Sequence, residues 1–563
     1  MLRFMLRFRF FIALFGFWAF VAPAFAQSQP AKGMVWDPPK DTAKAIAELQ
    51  EMHQMGVEVV RTPLIWRPAL YQMADSLHMQ FYQELPFSGL PAKRLEDMLP
   101  FARKTLRKVI EKSRAYQSAR HFGLAQFSDT SDSDAFAYFT TLMQVVRAEG
   151  ESGTQGYFTS TFVREDAVAH LVDFVLLVAY NDDNPVEKVR RWQANVGGKP
   201  VGIVMGMGVA HDTRSGYLVE NSPEAQARYL ETSLRHLLVE KKRPVSVIFI
   251  NRWKDGGKTD LYLQTQANQS LNYGLVGTDQ KKRPAYDVVK GFYTDQQTVF
   301  AFKAGERMDQ ETFWVIGMGW LILALIAFAF LLSFRLQDIL MRYFTAHRSF
   351  QDMLLRSRDA LSGMNALLMV AFGLCAGLTG SVIFSSLRSF PAFGYFIETL
   401  PAVLKSLVLI ALKLPFTFAL LSMGFFGLFL VLIALIFYSV AIYLKQTHVT
   451  PQKNLMIAVW AQWPMLLLML TAMVSFSVWG TSSIKPAMLL ISFWGILNLT
   501  AYFQMVSDFS YVVRQPAWLM IMTGIGIFLV VFLVYFLFRF PAIRPEWTFL
   551  IHLVRESWAM GTS

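Results

Sequence analysis

From Thr312 onward the chain carries apolar runs of the length a bilayer demands, about 20 residues each, whereas the stretch from Gln27 to Gln310 carries none as long. One polypeptide therefore has to fold in two solvents. The expected spans are Thr312 to Phe334, Gly363 to Phe384, Phe416 to Leu444, Leu455 to Val478, Ala487 to Val506 and Ala517 to Phe538. Glu398 to Leu414 is apolar but holds Lys405 and Lys413, which suits an interfacial helix or a seventh crossing. Six spans are expected, with seven as the alternative. Arg335, Arg342, Arg348, Arg356 and Arg358 follow the first span closely, and this positive-inside bias marks the cytoplasmic side. The span centres hold almost no ionisable residues, unlike those of ion-coupled transporters. Pro464, Gly424, Gly427 and Gly495 are expected to act in packing or kinking.

The N-terminus, MLRFMLRFRF followed by FIALFGFWAFVAPAFA, combines a basic region, an apolar region and the small-residue site Ala24-Phe25-Ala26. That is the pattern of a cleaved secretory signal over residues 1 to 26, the alternative being an uncleaved anchor helix. Either reading exports residues 27 to 310. The sole cysteine, Cys375, lies in an expected span, so the exported part has no disulfide and depends on its own core. A domain of that length buries roughly three quarters of its unfolded-chain surface, which suffices. The formal charge of +12 is scattered or flanks spans, so nucleic acid is not an expected partner.

Between residues 30 and 295 short β-rich runs alternate with helical periodicity, the signature of parallel β/α architecture. Eight strands are expected: Gly33 to Trp36, Val57 to Thr62, Gln80 to Glu84, Phe122 to Ser128, Tyr157 to Phe162, Phe174 to Tyr180, Val201 to Met205 and Val245 to Asn251. Helices are expected at Thr42 to Met55, Pro68 to Leu77, Leu95 to Ala119, Asp134 to Ala148 and Pro223 to Lys241, the last capped by Ser222. The fold class is thus α/β plus all-α membrane. A (β/α)8 TIM barrel over 27–295 is followed by a linker at 296–311, a polytopic helical domain at 312–540 and a tail at 541–563. Such a barrel builds its site at the C-terminal strand ends.

MHQMGVEVVRTPLIW and LYQMADSLHMQFYQELPF resemble the second and third strands of the catalytic barrel of family 2 glycoside hydrolases and their clan relatives. GKPVGIVMGMG resembles their seventh strand, SPEAQARYLETSL with IFINRWKD the following helix and eighth strand, and LNYGLVGTDQKKRPAYDVVKGFY the closing segment. The resemblance covers most of residues 27 to 295. The spans after Phe416 are similar, in hydropathy only, to the polytopic Yip1-type domain.

Glycosidic hydrolysis uses two carboxyl groups, about 5 to 5.5 Å apart in retaining enzymes and further apart in inverting ones. The resemblance implies one carboxylate at the end of strand four and one on strand seven. Here strand four ends Phe127-Ser128-Asp129 and strand seven offers Met205 or Met207. A thioether neither attacks an anomeric carbon nor carries its charge. Glu84 and Asp129 are the remaining candidate acids. The resemblance also implies sugar contacts from Arg61, Tyr180 and Trp253, each with a plainer alternative: a structural ion pair, a strand cap, a core indole. Trp36, Trp66 and Trp253 are candidates for an aromatic floor, with Asp255 nearby, since sugars need flat apolar faces and hydrogen-bonding groups.

His121, His170, His211, Asp129, Asp132 and Asp212 are the metal-capable groups, but none has a recognised ligand spacing, so no metal or cofactor is expected. The acidic run Ser128 to Asp134 reads as a loop before a helix N-terminus. The favoured reading is a membrane-anchored, extracytoplasmic glycoside-hydrolase-like barrel that binds an oligo- or polysaccharide with its usual nucleophile lost, in handling or sensing envelope polysaccharide. The alternatives are an active glycosidase using Glu84 and Asp129, and a transport or assembly factor whose barrel docks envelope protein partners.

Overall fold

In the computed structural model the alternating runs become eight strands that hydrogen-bond in sequence order and close, β8 against β1, into a parallel barrel. The structure describes residues 29–162, 164, 166–182, 184–210, 215–219, 221–240, 245–256, 271–306, 310–356, 362–387, 391–446, 449–479, 485–516, 518, 521 and 544–556. The expected signal segment, most of the expected span Ala517 to Phe538, and His211 with Asp212 lie outside the described residues. The described residues form two compact units, one holding the barrel strands and one holding the chain from Glu306 onward together with Ser88–Arg94.

The strands are β1 (Ala31–Val35), β2 (Val59–Pro63), β3 (Gln80–Glu84), β4 (His121–Gln126), β5 (Gln155–Ser160), β6 (Phe174–Tyr180), β7 (Val201–Gly206) and β8 (Val247–Ile250). Around them run α1 (Thr42–Gln54), α2 (Pro68–Ser76), α3 (Ala92–Ser113), α4 (Phe136–Glu149), α5 (Pro185–Asn195), α6 (Pro223–Leu234) and α7 (Pro284–Tyr293). Local chemistry starts these helices where they start. Asp41 accepts from the Ala43 amide and Ser222 from the Ala225 amide, and proline occupies the first turn of α2, α5, α6 and α7. The (β/α)8 pattern has one gap: the connection from β5 to β6 holds only a 3-10 turn, Ala169–Leu171, among the described residues.

Side chains alternate across each strand, so one set fills the barrel axis. Val35, Val59, Tyr82, Tyr157, Phe174, Leu176, Val204, Val247 and Phe249 make that interior cluster. Tyr82 is its hub, stacked on His121 at 4.1 Å and meeting Phe249 edge-on at 5.1 Å. Because this aromatic layer plugs the lower barrel, only residues two positions further along each strand reach the C-terminal mouth from the axis.

Among the described residues of the second unit five helices are long and apolar enough to cross a membrane: Trp314–Leu332, Gly363–Leu387, Phe416–Tyr443, Pro451–Trp479 and Lys485–Val513, with mean hydropathy from 1.5 to 2.7. They belong to α8 (Gln310–Leu332), α11 (Ser362–Leu387), α14 (Pro415–Tyr443), the consecutive α15 (Pro451–Trp460) and α16 (Pro464–Trp479), and α17 (Lys485–Val513). Between them lie the short α9 (Phe334–Thr345), α10 (His347–Arg356), α12 (Pro391–Thr399) and α13 (Ala402–Lys413). The segment weighed as a seventh span is thus represented by α13, whose 12 residues rise about 18 Å against a hydrocarbon core of about 30 Å.

Of the glycines expected to pack, Gly427 has the Met369 side chain 3.5 Å from an added Cβ. Gly424 and Gly495 have nothing within 4 Å of an added Cβ, whereas at Gly373 and Gly377 a Cβ would stand 2.7 Å from the Cα of Met423 and of Ala419. Small residues four apart on α11 let α14 approach backbone to backbone.

Candidate functional site at the barrel mouth

Alternation from Val59, Tyr82 and Tyr157 places Arg61, Glu84 and Thr159 one layer above the aromatic plug, facing the axis. There the Arg61 guanidinium meets Glu84, Nη2 to Oε2, at 2.6 Å, and the Thr159 hydroxyl donates to Glu84 Oε1 at 2.9 Å. The two charged side chains are only 1% and 4% exposed. Burial pushes the Tyr157 hydroxyl pKa well above the ordinary tyrosine value, and the neighbouring Glu84 charge adds to the effect. Both oxygens of the strongest candidate acid are therefore held by protein groups.

Asp129 is buried as well, at 1% exposure. Its Oδ1 accepts from the Ser131 hydroxyl at 2.6 Å and the Ser131 amide at 3.2 Å, so the carboxylate organises its own loop. The turn that leads to it passes through Phe127 at φ +49°.

Strand seven differs from the sequence expectation in which residue faces the axis. Val204 belongs to the interior cluster, so Gly206 is the next inward position and Met205, fully buried, points to the helical layer. A Cβ at Gly206 would stand 2.5 Å from the Asn251 carbonyl oxygen. The expected place for a nucleophile thus has no side chain and no room for one without backbone movement.

The three tryptophans are not brought together. With Val35 on the axis, Trp36 faces outward, where its indole N–H donates to Glu48 of α1 at 2.7 Å. Trp253 is 2% exposed and packs on Tyr286 of α7 at 5.9 Å. Trp66 is 45% exposed, with the ammonium groups of Lys108 and Lys112 of α3 at 5.6 and 5.5 Å from its ring centre. Each indole turns to a different helix. Asp255 accepts from Arg283 Nη2 at 2.5 Å and from the Gly274 amide at 2.7 Å, an arrangement that fixes the loop after β8.

What remains at the mouth is a polar and aromatic set that sequence reading found only in part. Tyr180 is half-buried, its ring 5.7 Å from that of Tyr273. Asn181, at φ +50°, donates from Nδ2 to the Tyr273 hydroxyl at 2.7 Å and accepts the Gly208 amide at 2.9 Å. Across β1 and β8, Arg252 pairs with Asp37 at 3.2 Å. Thr159, Asn181, Tyr273 and the Asp37–Arg252 pair were missed; a threonine two positions after Tyr157 on an otherwise apolar face was the one local signal.

Among the metal-capable residues, His121 lies at the opposite end of the strands, its pKa lowered to about 4 chiefly by burial. His170 packs on Phe136 at 5.6 Å. No group of three His, Cys, Asp or Glu side chains suited to a metal occurs among the described residues.

No family model matches the sequence, and no curated protein sequence matches it. Solved structures do. A β-glucuronidase from Ruminococcus gnavus is similar over 48% of this chain and 51% of its own, at 15% identity and a TM-score of 0.41. A GH2 β-galacturonidase from Eisenbergiella tayi bound to galacturonate is similar over 49% and 53%, at 19% identity and 0.42. A β-glucuronidase from an uncultured Clostridium is similar over 47% and 50%, at 16% identity and 0.41. This chain therefore spans about half the length of the solved structures it matches.

Proposed function

We propose that the chain is an integral membrane protein whose barrel, over residues 27–295 on the extracytoplasmic side, binds an oligo- or polysaccharide at its strand ends without cleaving it. The observation that carries the non-hydrolytic half is the state of the strongest remaining candidate acid and of the inward position on strand seven. Glu84 is held between Arg61 and Thr159 at 2.6 and 2.9 Å, and Gly206 has no room for a carboxylate-bearing side chain. The saccharide half draws on the resemblance of the strand sequences to family 2 glycoside hydrolases. Tyr180 and the hydrogen-bonded Asn181–Tyr273 pair supply an aromatic edge and polar groups at the same mouth. The sidedness rests on Arg335, Arg342, Arg348 and Arg356, which follow the first apolar helix.

The test is the full chain in detergent against a panel of oligosaccharides and aryl glycosides. Binding without turnover is expected, weakened about tenfold or more by Tyr180→Ala, the loss of an aromatic contact with its hydrogen bond. Turnover abolished by Glu84→Gln or Asp129→Asn would replace this reading with the glycosidase one. Absence of any saccharide binding would favour a barrel that docks an envelope protein.

A further inference from the structure

α17 carries a carboxylate that hydropathy alone does not reveal: Asp508 is fully buried although its helix is apolar enough to span a membrane. An ionisable group in such a place needs a partner. His347 Nε2 lies 2.6 Å from Asp508 Oδ1, and Gln351 Nε2 donates to the same oxygen at 2.9 Å. His347 Nδ1 lies 3.0 Å from the Tyr343 carbonyl oxygen, which can only accept, so Nδ1 carries a proton.

His347, the exposed side of this pair, lines one end of a cavity of about 590 Å³. The far side is apolar and opens past Phe344 and Leu467, which are 58% and 55% exposed. Beside it runs α9, whose exposed Phe334, Met341 and Phe344 alternate with Arg335 and Arg342, the composition of a helix lying in a membrane interface. A helix of that kind would set the cavity mouth at the depth where lipid heads meet their chains.

The polar inventory of the cavity is specific. Gln504 spends its amide N–H groups on His347 at 2.7 Å and Asp508 at 3.3 Å, leaving its carbonyl oxygen as an acceptor. Thr500 gives its hydroxyl proton to the Leu497 carbonyl at 2.7 Å and keeps its lone pairs. The Trp463 indole N–H is buried and finds no acceptor among the described residues. These acceptors and this donor, with no lysine or arginine among the lining residues, do not suit a phosphate. They suit hydroxyl groups.

We propose that this cavity binds an uncharged lipid with a hydroxylated head, diacylglycerol being the simplest and a glycosyl-diacylglycerol the next. Head hydroxyls donate to Gln504 and Thr500 and one oxygen accepts from Trp463, while the chain leaves past Phe344 and Leu467. The inference rests on the membrane half of the proposed function, which alkaline washing of membranes tests separately: release of the full chain would remove that reading, whatever the lipid result.

The test is native mass spectrometry of the detergent-solubilised full chain with dioleoylglycerol, dioleoylphosphatidylglycerol or glycerol. One dioleoylglycerol should be retained, about tenfold or more over phosphatidylglycerol, the cost of burying an unmatched charge. Excess glycerol should not displace it. Thr500→Val, which keeps shape, and Trp463→Phe, which keeps an aromatic ring, remove one polar group each and should weaken retention about threefold to tenfold, the loss of one neutral hydrogen bond. Equal retention of phosphatidylglycerol, displacement by glycerol, or retention unchanged in both variants would overturn the proposal.

Discussion

Removing one partner of the Arg61–Glu84 pair is expected to destabilise the barrel far more than removing both. The charges meet at 2.6 Å with side chains 1% and 4% exposed, so solvent screens them little. At an effective dielectric near 20, unit charges about 4 Å apart attract by about 4 kcal/mol, and breaking a buried pair by deleting one member costs about 3–5 kcal/mol. Arg61→Met removes the charged partner of Glu84 and should cost that amount. Arg61→Met with Glu84→Leu removes both charges at similar volume and should return to within about 1.5 kcal/mol of the parent. For a domain of this size, about 2–4 °C per kcal/mol applies, so the single variant should melt roughly 6–20 °C lower in tryptophan-fluorescence unfolding of the full chain. A single variant that melts like the parent, or a double variant at the sum of the singles, would refute the assignment of Glu84 as a structural partner of Arg61.

Two further outcomes follow from the barrel. Because His121 is lowered from 6.5 to about 4 in the fold, the unfolded chain binds more protons between those values. Stability should therefore fall by about 3 kcal/mol as pH drops from 6.5 to 4, at 1.36 kcal/mol per pH unit; His121→Phe, which keeps the stack on Tyr82, should abolish that part of the acid sensitivity, and an unchanged pH dependence of melting would contradict it. Gly206→Ala should cost about 1–3 kcal/mol of stability, since its Cβ would stand 2.5 Å from the Asn251 carbonyl oxygen; a variant that melts like the parent would show that strand seven has room for a side chain there.

How far the chain could be read in advance depended on the range of the interaction. All eight expected strands are strands, and β3 and β6 have the expected ends, because alternation and turn residues are local signals. Expected α3 ran on to Ala119 but ends at Ser113, and α5 was passed over although Asn184 caps it ahead of Pro185. The mouth was legible residue by residue but not in orientation. Trp36, Met205 and Trp253 lie at strand ends as expected, yet one residue of register decides axis or shell, and each faces the shell. Alternation from Val35 and Val204 contained that information for the first two. Asp508 was beyond local reading for a different reason. Hydropathy ended the span at Val506, whereas α17 continues to Val513 and buries the carboxylate against a histidine 161 positions away. Nothing in the sequence around either residue encodes that meeting. A lone aspartate beyond an apolar run reads as a solvated helix end, and only its histidine and glutamine partners make it part of a buried polar site.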